Sequence, residues 1–144
     1  MAETQTYQNH VRYFPLVHFI LFPVLFLNLL WQVFRLYQEP SWDRVEFSIL
    51  SVAFIAMNVA ARVQALRAQD RVIRLEESLR YQRILSPDLA FQAEQLPFGN
   101  KVGLRFASDE ELPELVQKAI NGEFKGSKEI KLAIKNWRGD YLRV

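Results

Sequence analysis

The sequence predicts an all-α protein: a transmembrane helical hairpin whose second helix extends into the cytoplasm, followed by a small C-terminal helical cap. Three observations predict it. Residues 13–34, between Arg12 and Arg35, carry no formal charge and read YFPLVHFILFPVLFLNLLWQVF. A second charge-free run, Phe47 to Ala61, follows within a short, turn-rich connection. No Gly or Pro occurs from Ser41 through Ser86, so the second apolar segment is expected to continue unbroken into a soluble helix, in all about 40 residues and ~60 Å.

These features divide the 144 residues into a two-span hairpin over 1–61 (spans about 13–35 and 44–62), a helical extension over 62–85, and a small helical module over 86–144. At 1.5 Å per residue the first run makes roughly 33 Å of helix, close to the ~30 Å hydrocarbon core of a bilayer. It is apolar nearly all round, with His18, Asn28 and Gln32 as interruptions, whereas a soluble helix keeps a polar face. A cleavable signal peptide is the competing reading. The run exceeds the usual apolar region of about 7–15 residues, and no small-x-small pattern follows before Glu39–Pro40–Ser41. The second run reaches only about 22 Å, a length that also suits a buried soluble helix, with Trp42 and Arg62 as interfacial anchors if it spans.

Pro15 falls in the first turn of the first span, while Pro23 is expected to kink its interior. Tyr13 and Phe14 at one end, and Trp31 and Phe34 at the other, match interfacial aromatic belts. Ala53, Ala56 and Ala60 form a strip of small residues where another helix can approach closely. His18 is shallow enough to reach headgroups or to bond the second helix. Asn28 and Asn58 lie at different depths from the turn, so they are not expected to pair. Arg62, Arg67, Arg71, Arg74, Arg80 and Arg83 follow the second span, whereas Arg35 and Arg44 in the connection are offset by Glu39, Asp43 and Glu46. The positive-inside rule then puts both termini in the cytoplasm.

Beyond the second span, Asp70–Arg74, Glu76–Arg80 and Arg74–Glu77 stand at ion-pair spacing. Ala61, Ala65, Ala68, Val72, Leu75 and Leu79 advance by fours and threes, a stripe expected to pack on the chain's own C-terminal helices or, alternatively, in a dimeric coiled coil. Ser86–Pro87–Asp88 opens a short helix toward Leu96. Pro97–Phe98–Gly99–Asn100 is a turn signal; Val102, Leu104 and Phe106 alternate as in a strand, but without a partner strand a short helix or extended linker is preferred. Ser108 with Glu111 forms a capping box for a helix running to Ile120 and ended by Asn121–Gly122, with Pro113 bending its start. Ser127 caps a last helix carrying Ile130, Ile134 and Trp137 as far as Gly139.

The chemistry expected of this chain is sparse. It has no cysteine, which excludes disulfides, thiolate zinc sites and iron–sulfur clusters. GxxxxGK[ST], GxGxxG and HExxH are absent, and the only histidines, His10 and His18, are not spaced to face one metal. Adjacent acid pairs such as Glu76–Glu77 point apart on a helix. Catalytic, cofactor and metal residues are therefore none. Nucleic-acid binding is not expected, because acids interleave with the arginines of 62–83; attraction to anionic lipid headgroups explains those charges better.

The strings QDRVIRLEESLR (69–80), RFASDEEL (105–112) and IKLAIKNWRGDYLRV (130–144), behind TYQNHVRYFPLVHF, resemble an uncharacterised family of small bacterial two-transmembrane-helix proteins, a domain of unknown function. The resemblance implies two spans and a cytoplasmic C-terminal region, and no activity or functional residue. Relatives often have a polar pair and an alanine where this chain has Asn100–Lys101 and Gly103, which leaves 98–107 open between helix and extended chain.

The expectation is a non-enzymatic integral protein of the bacterial inner membrane, an accessory, scaffold or interaction subunit of a membrane assembly. A small oligomeric transport or channel-like protein is the alternative, and a membrane-bound enzyme is less favoured. Expected partners are the bilayer and a second copy or larger complex, with no nucleic acid and no small-molecule substrate. Asp70, Arg71, Arg74 and Glu76 are expected to form an ion-pair cluster onto which Asp109, Glu110 and Glu111 dock. Lys131, Lys135 and Arg138 remain for lipid headgroups or an acidic partner.

Overall fold

The computed structural model describes residues 5–9 and 13–141; His10 and Arg12, invoked above, lie outside them. The described chain is all-helical, and its one β-type contact is an isolated antiparallel bridge between Ala107 and Trp137. Six helices follow in order: α1 Leu16–Gln38, α2 Trp42–Ile84, α3 Pro87–Glu94, α4 Phe98–Leu104, α5 Leu112–Ile120 and α6 Ser127–Ala133. The chain divides into two compact units, residues 13–67 and residues 68–141 with 5–9.

In the first unit, α1 and α2 are both long and apolar enough to cross a membrane. Pro23 does not act as a simple kink. The turn before it, Leu16–Leu21, is π-helical, and the Phe22 N–H donates to the Val17 carbonyl five residues back. Widening the turn by one residue accommodates the proline ring and its missing donor. The connection shrinks to residues 39–41. Ser41 caps α2, its Oγ accepting from the Arg44 N–H at 3.3 Å, and Glu39 takes ion pairs from Arg35 (2.9 Å) and Arg44 (3.5 Å). Asn28 finds a partner that the depth argument permits: the Ser51 hydroxyl donates to its Oδ1 at 2.7 Å. Asn28 lies 12 residues before Pro40 and Ser51 lies 11 after it, so the antiparallel helices bring them level. His18 bonds back to the residues just ahead of its own helix, Nδ1 to the Phe14 carbonyl at 3.0 Å.

The second unit is built on the last part of α2. Tyr81 and Leu85 enter a core with Ala90 and Ala93 of α3, Leu104 of α4, Phe106 and Ala107 of the following segment, Leu112, Leu115 and Val116 of α5, and Ile130 and Ile134 near α6. Residues 98–104 are helix, and the alternation that suggested a strand survives only in the bridge at Ala107. Gly103 makes this possible, because α4 and α6 meet where a β-carbon at 103 would lie 3.0 Å from Ile130 side-chain atoms. α5 buries Leu112, Leu115, Val116 and Ala119, an i, i+3, i+4, i+7 face. It ends as the sequence predicts: Gly122 takes φ +77°, and the Gly122 and Glu123 N–H groups donate to the Ala119 and Lys118 carbonyls.

The last helix is shorter than its sequence pattern. α6 ends at Ala133, Ile134 is extended, and Trp137 lies in the bridge rather than on the helix. The cause is competition for backbone groups. Glu111 accepts from the Lys135 and Asn136 N–H groups (3.1 and 3.2 Å), Ser108 donates its N–H to Asn136 O, and Arg138 donates to Phe106 O. The Ser108 hydroxyl does receive the Glu111 N–H at 3.3 Å, so half of the capping box forms; the Glu111 carboxylate leaves for residues 135–136 instead.

Two glycines of α4 are expected to respond oppositely to alanine. Gly99→Ala meets no atom within 4 Å and should stabilise the full chain by about 0.4–1 kcal/mol. Gly103→Ala pushes on Ile130 and the Ser127 carbonyl and should destabilise it by about 1–3 kcal/mol. Thermal unfolding of the detergent-solubilised protein, followed by circular dichroism, reads both signs; a shared sign would contradict the packing.

Candidate functional site

Within the second unit, the inward face of the last turns of α2 carries Ile73, Glu77, Arg80, Tyr81 and Ile84, with Leu85 just beyond its end. Two of these are charged, and both are almost fully buried, at 4% exposure each. Buried charge is tolerated only when paired and hydrogen-bonded, and Arg80 is both. Its Nε and Nη2 donate to Asp109 Oδ1 at 2.9 and 2.7 Å. Nη2 also donates to the Ala107 carbonyl at 2.7 Å, and Nη1 to the Arg105 carbonyl at 3.4 Å. Glu77 Oε1 stands 3.6 Å from Nη1. One planar fork thus ties α2 to the segment that links α4 and α5, which a lysine cannot reproduce.

Other charges surround it. Arg83 meets Asp109 Oδ2 at 3.3 Å, Arg105 pairs with Asp140 at 3.2 Å and lies over the Phe106 ring, and Lys101 donates to both the carboxylate and the carbonyl of Glu94 at 2.9 Å. A cavity of about 540 Å³ opens beside this network, lined by Glu76, Glu77, Arg80, Arg83, Arg105 and Arg138 among others. Gln5 closes a reciprocal pair with the Asp140 backbone, donating at 3.1 Å and accepting at 2.8 Å, so residues near the N-terminus belong to this unit.

The protonation behaviour follows from burial and neighbours. Burial pushes the Glu77 carboxyl up, and the charges of Arg80, Arg138 and Arg105 only partly offset it. Burial also acts to raise Asp109, but the hydrogen bonds and charge of Arg80, with Arg138 and Arg83, prevail and hold it below its ordinary 3.8. In Glu94 burial is likewise outweighed, by hydrogen bonds from Ser78 and Lys101, and the net shift is downward. Tyr81, fully buried, is raised by burial and then by the Glu77 charge.

The residues singled out from sequence are distributed differently. Asp109 reaches Arg80 and Arg83 rather than Arg71 or Arg74. Arg74 lies 4.3 Å from the centroid of the Phe98 ring, and Arg71 is exposed. Glu76 is exposed and borders the cavity; Asp70, half-buried, and Glu76 both contribute charge that favours the protonated Arg105. Glu111 holds residues 135–136, and Glu110 is exposed. Lys131 lies 5.1 Å from the Phe106 centroid, Lys135 is exposed, and Arg138 borders the cavity. Ala53, Ala56 and Ala60 are all exposed. Sequence reasoning paired Glu77 with Arg74 and Arg80 with Glu76, and so missed Arg80 as the centre that Glu77 and Asp109 share, along with Arg105 and the Lys101–Glu94 pair. The signal present was Ile73, Glu77, Arg80 and Ile84 at i, i+4, i+7, i+11, a helical face whose charges looked solvated.

Among the described residues no three His, Asp or Glu side chains gather where they could hold a metal ion. The site is a structural junction: an arginine-centred lock between a long helix and a helical module. The chain belongs to a family of unknown function, DUF6526, whose model matches residues 1–144. No curated protein and no solved structure matches it.

Replacing Arg80 should be severe. Arg80→Leu leaves Glu77 buried without its cation and is expected to cost about 3–5 kcal/mol; Arg80→Lys should not rescue it, while Arg83→Ala, at an exposed pair, should stay within about 1 kcal/mol. Thermal unfolding of the three variants checks the order. Acid should weaken the same junction. The Asp109 contribution, from a lowered pKa, is present above the unfolded value of 3.8 and lost as pH falls through the folded one. Glu77 has the opposite sign, costing stability as pH rises from 4.5 through its raised value. Tryptophan fluorescence during acid titration should therefore show a shallower loss below 3.8 for Asp109→Asn than for the unaltered chain; parallel titrations would contradict the lock.

Proposed function

We propose that this chain is a non-enzymatic integral membrane protein, with α1 and the first half of α2 inserted as a hairpin and residues 68–141 presented on the cytoplasmic face of a bacterial inner membrane. The observation that carries the reading is apolar surface left uncovered. The apolar window of α1 has mean hydropathy 2.0 and is 0% buried; that of α2 has mean hydropathy 1.7 and is 6% buried. A core helix of a soluble protein hides such a surface against its own chain, whereas lipid would cover it here. Exposed Phe19, Ile20, Phe26, Leu27, Ile49 and Val52 would sit in that lipid, with Trp31, Tyr37 and Trp42 near one interface.

The Gln5–Asp140 pairing supports the hairpin rather than a single crossing or a removed leader. It joins the segment before α1 to the module after α2, and in a membrane two segments in contact must be separated by an even number of crossings. The arginines after the second span favour the cytoplasmic side for both. The module, held to α2 by Arg80, would then act as an interaction surface for an accessory or scaffold subunit.

Carbonate extraction of membranes and a topology reporter after residue 144 test this. The protein should stay in the pellet and the reporter on the cytoplasmic side. Recovery in the soluble fraction, or a periplasmic reporter, would overturn it.

A further inference from the structure

The stripe on α2 that the sequence marks as core is not core. Val72, Leu75 and Leu79 are 52%, 63% and 59% exposed, because the second unit packs on the face of Ile73, Glu77, Arg80 and Tyr81. At 100° per residue the two faces point in nearly opposite directions on the helix. A β-branched residue, a leucine and a second leucine at alternating three- and four-residue steps, beyond the apolar windows, are left facing water. No part of the described chain covers them.

We propose that this stripe is a parallel homodimer seam, with a second copy of the same chain as its occupant. With Val72 and Leu79 at positions a, Ala68 and Leu75 take positions d, Arg71 takes g and Glu76 takes the following e. In a parallel two-stranded coil, g of one helix stands beside the next e of its partner. Arg71 therefore meets Glu76 of the second copy, and the two-fold axis repeats the pair. Both side chains are exposed in the single chain, and neither is used in the Arg80 junction. This charge match selects a second copy over an unrelated apolar helix. The parallel arrangement rests on the membrane reading above, since copies inserted the same way present their helices in the same direction.

The chain lacks cysteine, so single introduced thiols report neighbours cleanly. In membranes carrying the full-length protein, Leu75→Cys, at a d position, should form a disulfide-linked dimer on mild oxidation. Arg67→Cys, at an outward c position on the same helix, should not. Adding Glu76→Arg to Leu75→Cys should lower the dimer yield several-fold, and adding Arg71→Glu as well should restore it. Equal cross-linking at 67 and 75, a product with a foreign protein in place of the dimer, or no recovery in the doubly reversed variant would overturn the seam. Carbonate extraction of the same samples separates the two failures. Leu75→Cys monomer retained in the pellet overturns the dimer alone, while release to the supernatant overturns the anchor and with it the parallel alignment.

Discussion

The guanidinium of Arg80 is where the second unit is assembled. It occupies the interior at 4% exposure and gathers Asp109, two backbone carbonyls and the Glu77 carboxylate around one rigid plane. The carbonyls of residues 105 and 107 belong to an irregular segment that would otherwise bury unsatisfied acceptors. Filling them from α2 fixes where that segment runs. Phe106 then faces Trp137 at 5.1 Å between ring centres, Ala107 pairs with Trp137, and the turn that begins at Ser108 leads into α5 at Leu112.

A buried ion pair is not by itself a source of stability, since desolvation offsets most of the attraction. What it supplies here is specificity. Alternative dockings of the module would strand Glu77 and Arg80 without partners, and each would cost several kcal/mol, as breaking a buried ion pair does. The lock also explains which side of α2 is left bare. Once the charged face is taken inward, the Val72–Leu75–Leu79 face must point away from the module.

The two ends of α2 therefore solve one problem differently. In residues 47–61 the exposed residues are apolar on nearly all sides, with Ser51 turned to Asn28. Beyond residue 67 one face holds the module, one carries the exposed stripe of Val72, Leu75 and Leu79, and the rest is mostly polar or charged. A helix without Gly or Pro over 43 residues spans both settings without a break.

Local signals were legible in the sequence because they act over a few residues. The long charge-free runs, the uninterrupted α2, the start at Pro87, the Gly122 termination and the Ser108 cap all follow from propensity, capping and backbone freedom. The helix over 98–104 was not legible: dismissing a strand without a partner still left helix and extended linker open, and the packing of α4 on α6 decided it. Tertiary structure alone decided the rest. Apolar periodicity named Val72, Leu75 and Leu79 as the packing face, yet the module chose the face bearing Glu77 and Arg80, because backbone carbonyls far along the chain could satisfy those charges. The same long-range competition took Glu111 away from its own cap and stopped α6 at Ala133. Periodicity measures how apolar a face is; only the folded chain shows whether the acceptors exist that let a charged face be buried instead.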